Sequence, residues 1–270
     1  IYFKDSVILI SEDYNVSCDT LKYNNNTRNY FFFGPTSISS DEMKIYCENG
    51  YHNTITKISE FNQRAHIIDD KYNIKADSIY YNKVERKGRL KNNIYIINDT
   101  KDMIATGNLS EYSEKENKIE ITKKPTLYSI SEEDTLIIKA NKILHHEYKD
   151  NKYMLAYKDV KIFKDNLQSI CDSLYYSETD SIMELYNNPK LWIDDIQITS
   201  DTMKVFNENQ EINRIIFFGL LFFLIGVFPN YILSAGHNPF QHLFDSSLID
   251  NDNIMYPVKN RFYIFSQEIY

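Results

Sequence analysis

An all-β fold, a stack of short strands built from units of about 30 residues, is what the sequence predicts. Three observations carry it. Residues 1 to 212 run in short alternating stretches rich in Ile, Tyr, Phe and Thr, divided by Asn, Asp, Lys and Gly. That is strand-and-turn chemistry, with Asn and Asp in the turn positions that glycine usually fills. No window carries a sustained apolar stripe of helical period. The stretches also repeat.

The clearest copies read small residue, Asp, Ser or Thr, apolar, any residue, Tyr. They are Cys18-Asp19-Thr20-Leu21-Lys22-Tyr23, Ala76-Asp77-Ser78-Ile79-Tyr80-Tyr81 and Cys171-Asp172-Ser173-Leu174-Tyr175-Tyr176. Weaker copies begin at Cys47, Gly107, Ala140 and Ser200. Taking the second residue as marker, the copies fall at 19, 48, 77, 108, 141, 172 and 201, at intervals of 29, 29, 31, 33, 31 and 29 residues. A second element keeps the same beat half a period later. It reads Gly34-Pro35-Thr36, Arg64-Ala65-His66, Asn93-Ile94-Tyr95, Lys124-Pro125-Thr126, Asp159-Val160-Lys161 and Asn188-Pro189-Lys190. An apolar run lies between the two elements, so each unit holds about three short strands. Units of this length stack and share one continuous core.

Side chains alternate between the two faces of a strand. Leu21 shares a face with Tyr23, Ile79 with Tyr81 and Leu174 with Tyr176. In the second element Ala65 shares a face with Ile67, Val160 with Ile162, and Leu191 with Ile193. These residues, and Ile96 with them, should line the interior along the whole stack. Thr20, Lys22, Lys161 and Lys190 should face water.

Composition removes several functions. The 270 residues are 43% hydrophobic and 25% charged, enough apolar side chain for a core. With Gly at 7, collagen, Gly-rich calcium-binding rolls and glycine phosphate loops are excluded. The net charge of -8 opposes a nucleic-acid partner and electrostatic docking on anionic lipid. Three Cys do not make a disulfide framework.

One segment breaks the pattern. No Asp, Glu, Lys or Arg occurs between Arg214 and Asp245, and residues 215–234 read IIFFGLLFFLIGVFPNYILS. About 20 apolar residues suffice to span a bilayer as a helix, so this run is either a membrane helix or an insertion interrupting a β-protein. The chain opens on Ile1 inside an alternating stretch, without a signal-peptide pattern, and reads as a fragment of something longer.

Candidate chemical groups have bland readings that outweigh the sharp ones. Asp19, Glu48, Asp77, Asp172 and Asp201 form an acid row, but carboxylates on strands about 4.8 Å apart would repel if buried together. Strand-start acids with turn-side hydrogen bonds fit better. His145 and His146 are adjacent on a strand and point to opposite faces, so they do not share a metal. His52, His66, His237 and His242 have no Cys or acid partner at ligand spacing. Cys18, Cys47 and Cys171 occupy one slot of the repeat and read as small buried hydrophobes, with Cys18–Cys47 the one pair that could bond. No metal ligands, cofactor or catalytic motif is expected.

The motifs Asp172-Ser173-Leu174-Tyr175-Tyr176, Cys47-Glu48-Asn49-Gly50, Phe33-Gly34-Pro35-Thr36 and Asn188-Pro189-Lys190-Leu191-Trp192 together resemble the OstA-like (LptA) family, nearest its long Bacteroidetes-type members. The likeness covers residues 1–213, departs over 214–259, and returns as a family-like strand at 260–270. It implies a β-jellyroll, or open β-taco, of stacked antiparallel strands with the apolar insert near its C-terminal end. It also implies a non-enzymatic lipopolysaccharide-transport bridge in the periplasm or cell envelope, with acyl chains shielded inside. On that footing Leu21, Tyr23, Ile67, Ile79, Tyr81, Ile96, Ile162, Leu174, Tyr176 and Leu191 would line the lipid path. The partners implied are lipopolysaccharide or a similar amphiphile, and like-folded envelope proteins joined by edge-strand pairing. Residues 215–234 would supply any membrane contact.

Two other functions compete. A structural or adhesive β-solenoid, with a packed interior and its function on the outer face, would produce the same repeat from core packing alone. A carbohydrate-active enzyme needs paired carboxylates at one place, and the sequence offers no such constellation. The exposed alternation of residues 2–10 further predicts end-to-end association by strand addition.

Overall fold

The alternation becomes strand along the chain. The structure, a computed structural model, describes residues 1–225 except 12–13, 42, 132–134, 149–150, 165–166, 194–195, 209–210 and 220–221. Eight long strands open the chain as an antiparallel meander, each paired with the next: β1 (Tyr2–Ile10), β2 (Asn15–Asn24), β3 (Asn29–Ser39), β4 (Met43–Asn53), β5 (Ile58–Asp69), β6 (Tyr72–Asn82), β7 (Lys87–Asn98) and β8 (Met103–Ser113). Four short strands follow, β9 (Lys118–Thr122), β10 (Thr126–Ile130), β11 (Thr135–Lys139) and β12 (Lys142–Tyr148). Two more long ones come next, β13 (Asn151–Lys164) and β14 (Leu167–Ser177). The last six are β15 (Ile182–Tyr186), β16 (Lys190–Ile193), β17 (Ile196–Thr199), β18 (Thr202–Glu208), β19 (Glu211–Phe218) and β20 (Phe222–Ile225).

Local chemistry sets the turns at one end of the strands. The side-chain oxygens of Asn24, Asn53 and Asn82 each accept hydrogen bonds from the amides two and three residues on. Each of these turns closes on a left-handed residue, Arg28, Lys57 or Arg86, with φ of 57°, 57° and 56°. Successive turns are tied by backbone bonds, Thr54 N to Arg28 O at 3.0 Å and Lys83 N to Lys57 O at 3.1 Å.

Midway along, each long strand bends. Pairing registers shift between Ser17 and Thr20, Tyr46 and Asn49, Asn62 and Ala65, Lys75 and Ser78, and Lys91 and Ile94. The second element of the repeat is the left-handed half of these bulges, as at Asn92 and Asn93 (φ 56° and 49°). The bend divides the sheet into two limbs whose inner faces pack together. Small residues of both repeat elements sit where the limbs converge: Cys47 is fully buried, and Ala65 and Ala76 are nearly so. At Gly107 a Cβ would lie 2.5 Å from Ile121 Cγ2.

The expected open taco is not what forms. At Lys123 and Lys124 (φ 59° and 64°) the strand breaks, and Pro125 has no N–H to continue the ladder. A second break falls at Ala140-Asn141, where the Asn141 amide turns to the carbonyls of Tyr157 and Lys158. Unbroken β8 therefore carries two partners, β10 along Met103–Thr106 and β9 along Leu109–Ser113. Unbroken β13 likewise carries β12 and β11. Since β9 pairs with β12 and β10 with β11, the pairing returns on itself. Strands β8, β9, β12, β13, β11 and β10 make a closed six-stranded β-barrel. Strands β1–β7 attach through β7 and β14–β20 through β13.

The expected helical insert is also corrected. No helix occurs among the described residues, and none there is long and apolar enough to cross a membrane. The apolar run begins as strand instead, in β19, which pairs with β18, and in β20, which pairs with β17. Aromatic and β-branched residues suit that state when a partner edge is at hand. Residues 226–270, with most of the 214–259 segment and all of 260–270, lie outside the described residues.

Candidate functional site

Of the ten residues expected inside, Leu21, Ile79, Ile96, Ile162, Leu174 and Leu191 are buried, Ile162 and Leu191 completely, and Tyr23, Ile67, Tyr81 and Tyr176 are half-buried. Cross-strand pairing lines them up into rows. One row runs Leu21, Phe32, Gly50, Phe61, Ile79, Leu90, Ser110 and Ile121 across β2 to β9. The facing limb contributes Ile45, Ile67, Ile74, Ile96 and Ala105. These residues form three apolar clusters that draw on both limbs, and in the largest Met154, Ile162, Leu185, Leu191 and Met203 are completely buried. In these clusters the inner side chains of the two limbs pack against one another.

Three members of the acid row, Glu48, Asp77 and Asp172, bind the neighbouring strand at the bends. Asn93 donates its side-chain amide to both oxygens of Asp77, each at 3.0 Å. Asn187 donates to Asp172 at 3.2 Å, and Arg64 pairs with Glu48. Hydrogen bonds from Ser173 and Asn187 hold the Asp172 carboxyl below the usual carboxylate range, and those from Tyr46 and Arg64 do the same for Glu48. No group of three or more His, Cys, Asp and Glu side chains that could hold a metal exists among the described residues. The three cysteines are free thiols, and burial pushes Cys47 and Cys171 up to about 12.

One pairing was not legible from spacing. His52 Nδ1 lies 2.9 Å from Ser59 Oγ on the inner row near the limb tips. Burial first, then Lys57 and Lys83, lowers the His52 pKa, and the charged groups acting on it are cations. A serine–histidine pair without an orienting acid lacks the third member of a hydrolytic site.

His145 and His146 do point to opposite faces. His145 turns inward, with Nε2 3.4 Å from Glu178. His146 turns outward and stacks on Tyr153, ring centroids 5.0 Å apart and planes at 22°. Around it the outer face of β12–β14 is apolar where neighbouring strands carry charge. Leu144 pairs with Leu155, Leu155 with Tyr175, and the Tyr153 and Tyr175 rings lie 5.9 Å apart. The next strands outward present Glu120 and Glu184 at the same level. With the turn Lys115–Lys118 and Glu147, the side chains of Leu144, His146, Tyr153 and Leu155 line a concavity of about 750 Å³, and the Tyr175 ring lies next to that of Tyr153. Its signal in the sequence is that β13 is apolar or aromatic on both faces, Tyr153, Leu155 and Tyr157 outside, Met154 and Ala156 inside.

The chain matches no family model and no curated protein. Among solved structures it aligns with LptH, the LptA-homologous periplasmic component of the lipopolysaccharide transport device of Pseudomonas aeruginosa. Identity is 11%, over 57% of this chain and 94% of that one, with a TM-score of 0.25. A likeness at that score carries no argument about this chain.

Proposed function

We propose that this chain is a non-enzymatic structural or adhesive β-protein that meets other molecules on its outer face. The observation that carries the reading is the filled interior: Leu174, Leu185 and Met203 of one limb pack with Ile162, Leu191 and Ile198 of the other. Close packing of this kind leaves no volume for an acyl chain unless the limbs separate. A cell-envelope location is supported by the sequence motifs at residues 33–36, 47–50, 172–176 and 188–192.

A second reading, a carrier for lipopolysaccharide or a similar amphiphile, draws on one feature of the interior. Tyr23, Tyr81 and Tyr176 lie in the row nearest the limb tips and are only half-buried, so an opening would begin there. The same ten interior residues would then line the path. Edge pairing through β1, with Ile8 and Ile10 exposed at 71% and 79%, would join it to like-folded proteins. A photo-crosslinking residue at Leu174 or Ile79, expressed in cells, separates the two readings. The packed protein yields no lipopolysaccharide adduct at either site. Adducts at both, with none at the outward Lys22, would overturn the packed reading in favour of the carrier.

A further inference from the structure

We propose that the concavity over β12–β14 binds a neutral saccharide. The inference rests on the outer-face reading above and adds a ligand class to it.

The concavity has the size of a small-ligand site, about 750 Å³. The floor is Leu144 and Leu155, and one wall is the stacked pair His146 and Tyr153. Tyr175 continues the stack, and Tyr157, 37% exposed, extends the same face of β13. Aromatic rings held against one another on a rigid sheet offer π-faces to the C–H faces of a sugar ring, at little entropic cost. The polar turn Lys115–Lys118 stands at the rim, where hydroxyl groups would find donors and acceptors.

Charge decides between a neutral and an ionic ligand. The charges around the platform pair with one another: Lys142 with Glu120 at 2.8 Å, Lys204 with Glu184 at 2.8 Å, and Lys152 with Glu147 at 3.4 Å. Tyr186 also donates to Glu184. The lining itself sets Lys115 and Lys118 against Glu116 and Glu147, so it carries no net charge to attract an anion or a cation. A free acyl chain is disfavoured as well, because the concavity is rimmed by polar side chains.

The test titrates the full chain with maltohexaose, chitohexaose and mannohexaose, by calorimetry and by tyrosine fluorescence. Binding of at least one is expected, insensitive to added sodium chloride because no net charge is neutralised. Tyr153→Ala and Tyr175→Ala should each weaken it about tenfold, as loss of one stacking partner implies, while Tyr153→Phe should bind like the parent. Both alanine sites face outward, so the melting temperature should stay near that of the parent. Should one variant misfold, the other reads the same stack. No binding to any of the three, or binding that survives both alanine substitutions in folded protein, overturns the inference. Either result leaves the packed interior standing, because crosslinking at Leu174 tests that separately.

Discussion

Asn93 holds Asp77 by both carboxylate oxygens, closing the left-handed corner of β7 onto the marker acid of β6. The acid row is thus a set of corner fastenings between strands rather than a site. Asp77→Ala should lower stability by less than about 1 kcal/mol, since the bond is exposed and water replaces it. Urea denaturation checks this; a loss of several times that size would mean that the corner does more than fasten.

Gly34 is a different kind of corner. Its φ is +76°, and a Cβ there would meet Asp19 Oδ2 at 2.4 Å and Asp19 Cβ at 2.8 Å. Gly34→Ala should therefore cost about 1–3 kcal/mol, from left-handed strain and displacement of Asp19. Thermal unfolding of the variant reads it directly, and an unchanged midpoint would refute the corner geometry.

Ser110 stands in the interior row between Leu90 and Ile121, 1% exposed, and its Oγ has no hydrogen-bond partner. A buried unmatched hydroxyl costs about 1–3 kcal/mol. Ser110→Ala should stabilise the protein by about 1 kcal/mol, visible as a higher denaturation midpoint with unchanged slope. Destabilisation would show that the hydroxyl has a partner after all.

Stability should fall in acid partly through Glu178. The hydrogen bond from His145, above all, holds its carboxyl below the ordinary value of 4.5, with Lys152 helping and burial and Asp102 opposing. A depressed pKa stabilises the fold at pH above about 4.5, and that contribution is lost as pH falls through the folded value. Glu178→Gln should lower the neutral part of a melting-temperature profile and converge with the parent in acid, so that its acid limb is flatter. A variant whose acid limb is as steep as the parent's would contradict the assignment.

Much of this was readable from the sequence, for reasons specific to each residue. The strand period put Leu21, Ile79 and Leu174 on the inner face, because burying one face of a sheet forces alternation. The markers were visible because every bend needs a small inner residue and a polar outer one. Closure was not visible. Locally Lys124-Pro125 looks like Gly34-Pro35, yet the chain pairs straight through the first bend of β3 and breaks at the other. Only pairing between strands distant in sequence separates the two. The apolar run at 215–234 misled because its length suits a membrane helix, whereas β18 and β17 offered its first residues strand partners. The outer platform was hidden in the same alternation, since Tyr153, Leu155 and Tyr157 read as a strand without saying which face they cover.

The central claim is that the two limbs are shut on a filled core and stay shut. Spin labels at Lys75, on one limb, and Glu111, on the other, both exposed, report the gap across the interior. The three buried cysteines would first be replaced by alanine. Double electron–electron resonance should give one narrow distance distribution, unchanged by saturating lipopolysaccharide. A second, longer distance that grows with added lipopolysaccharide would show the limbs parting around cargo, and would contradict the account.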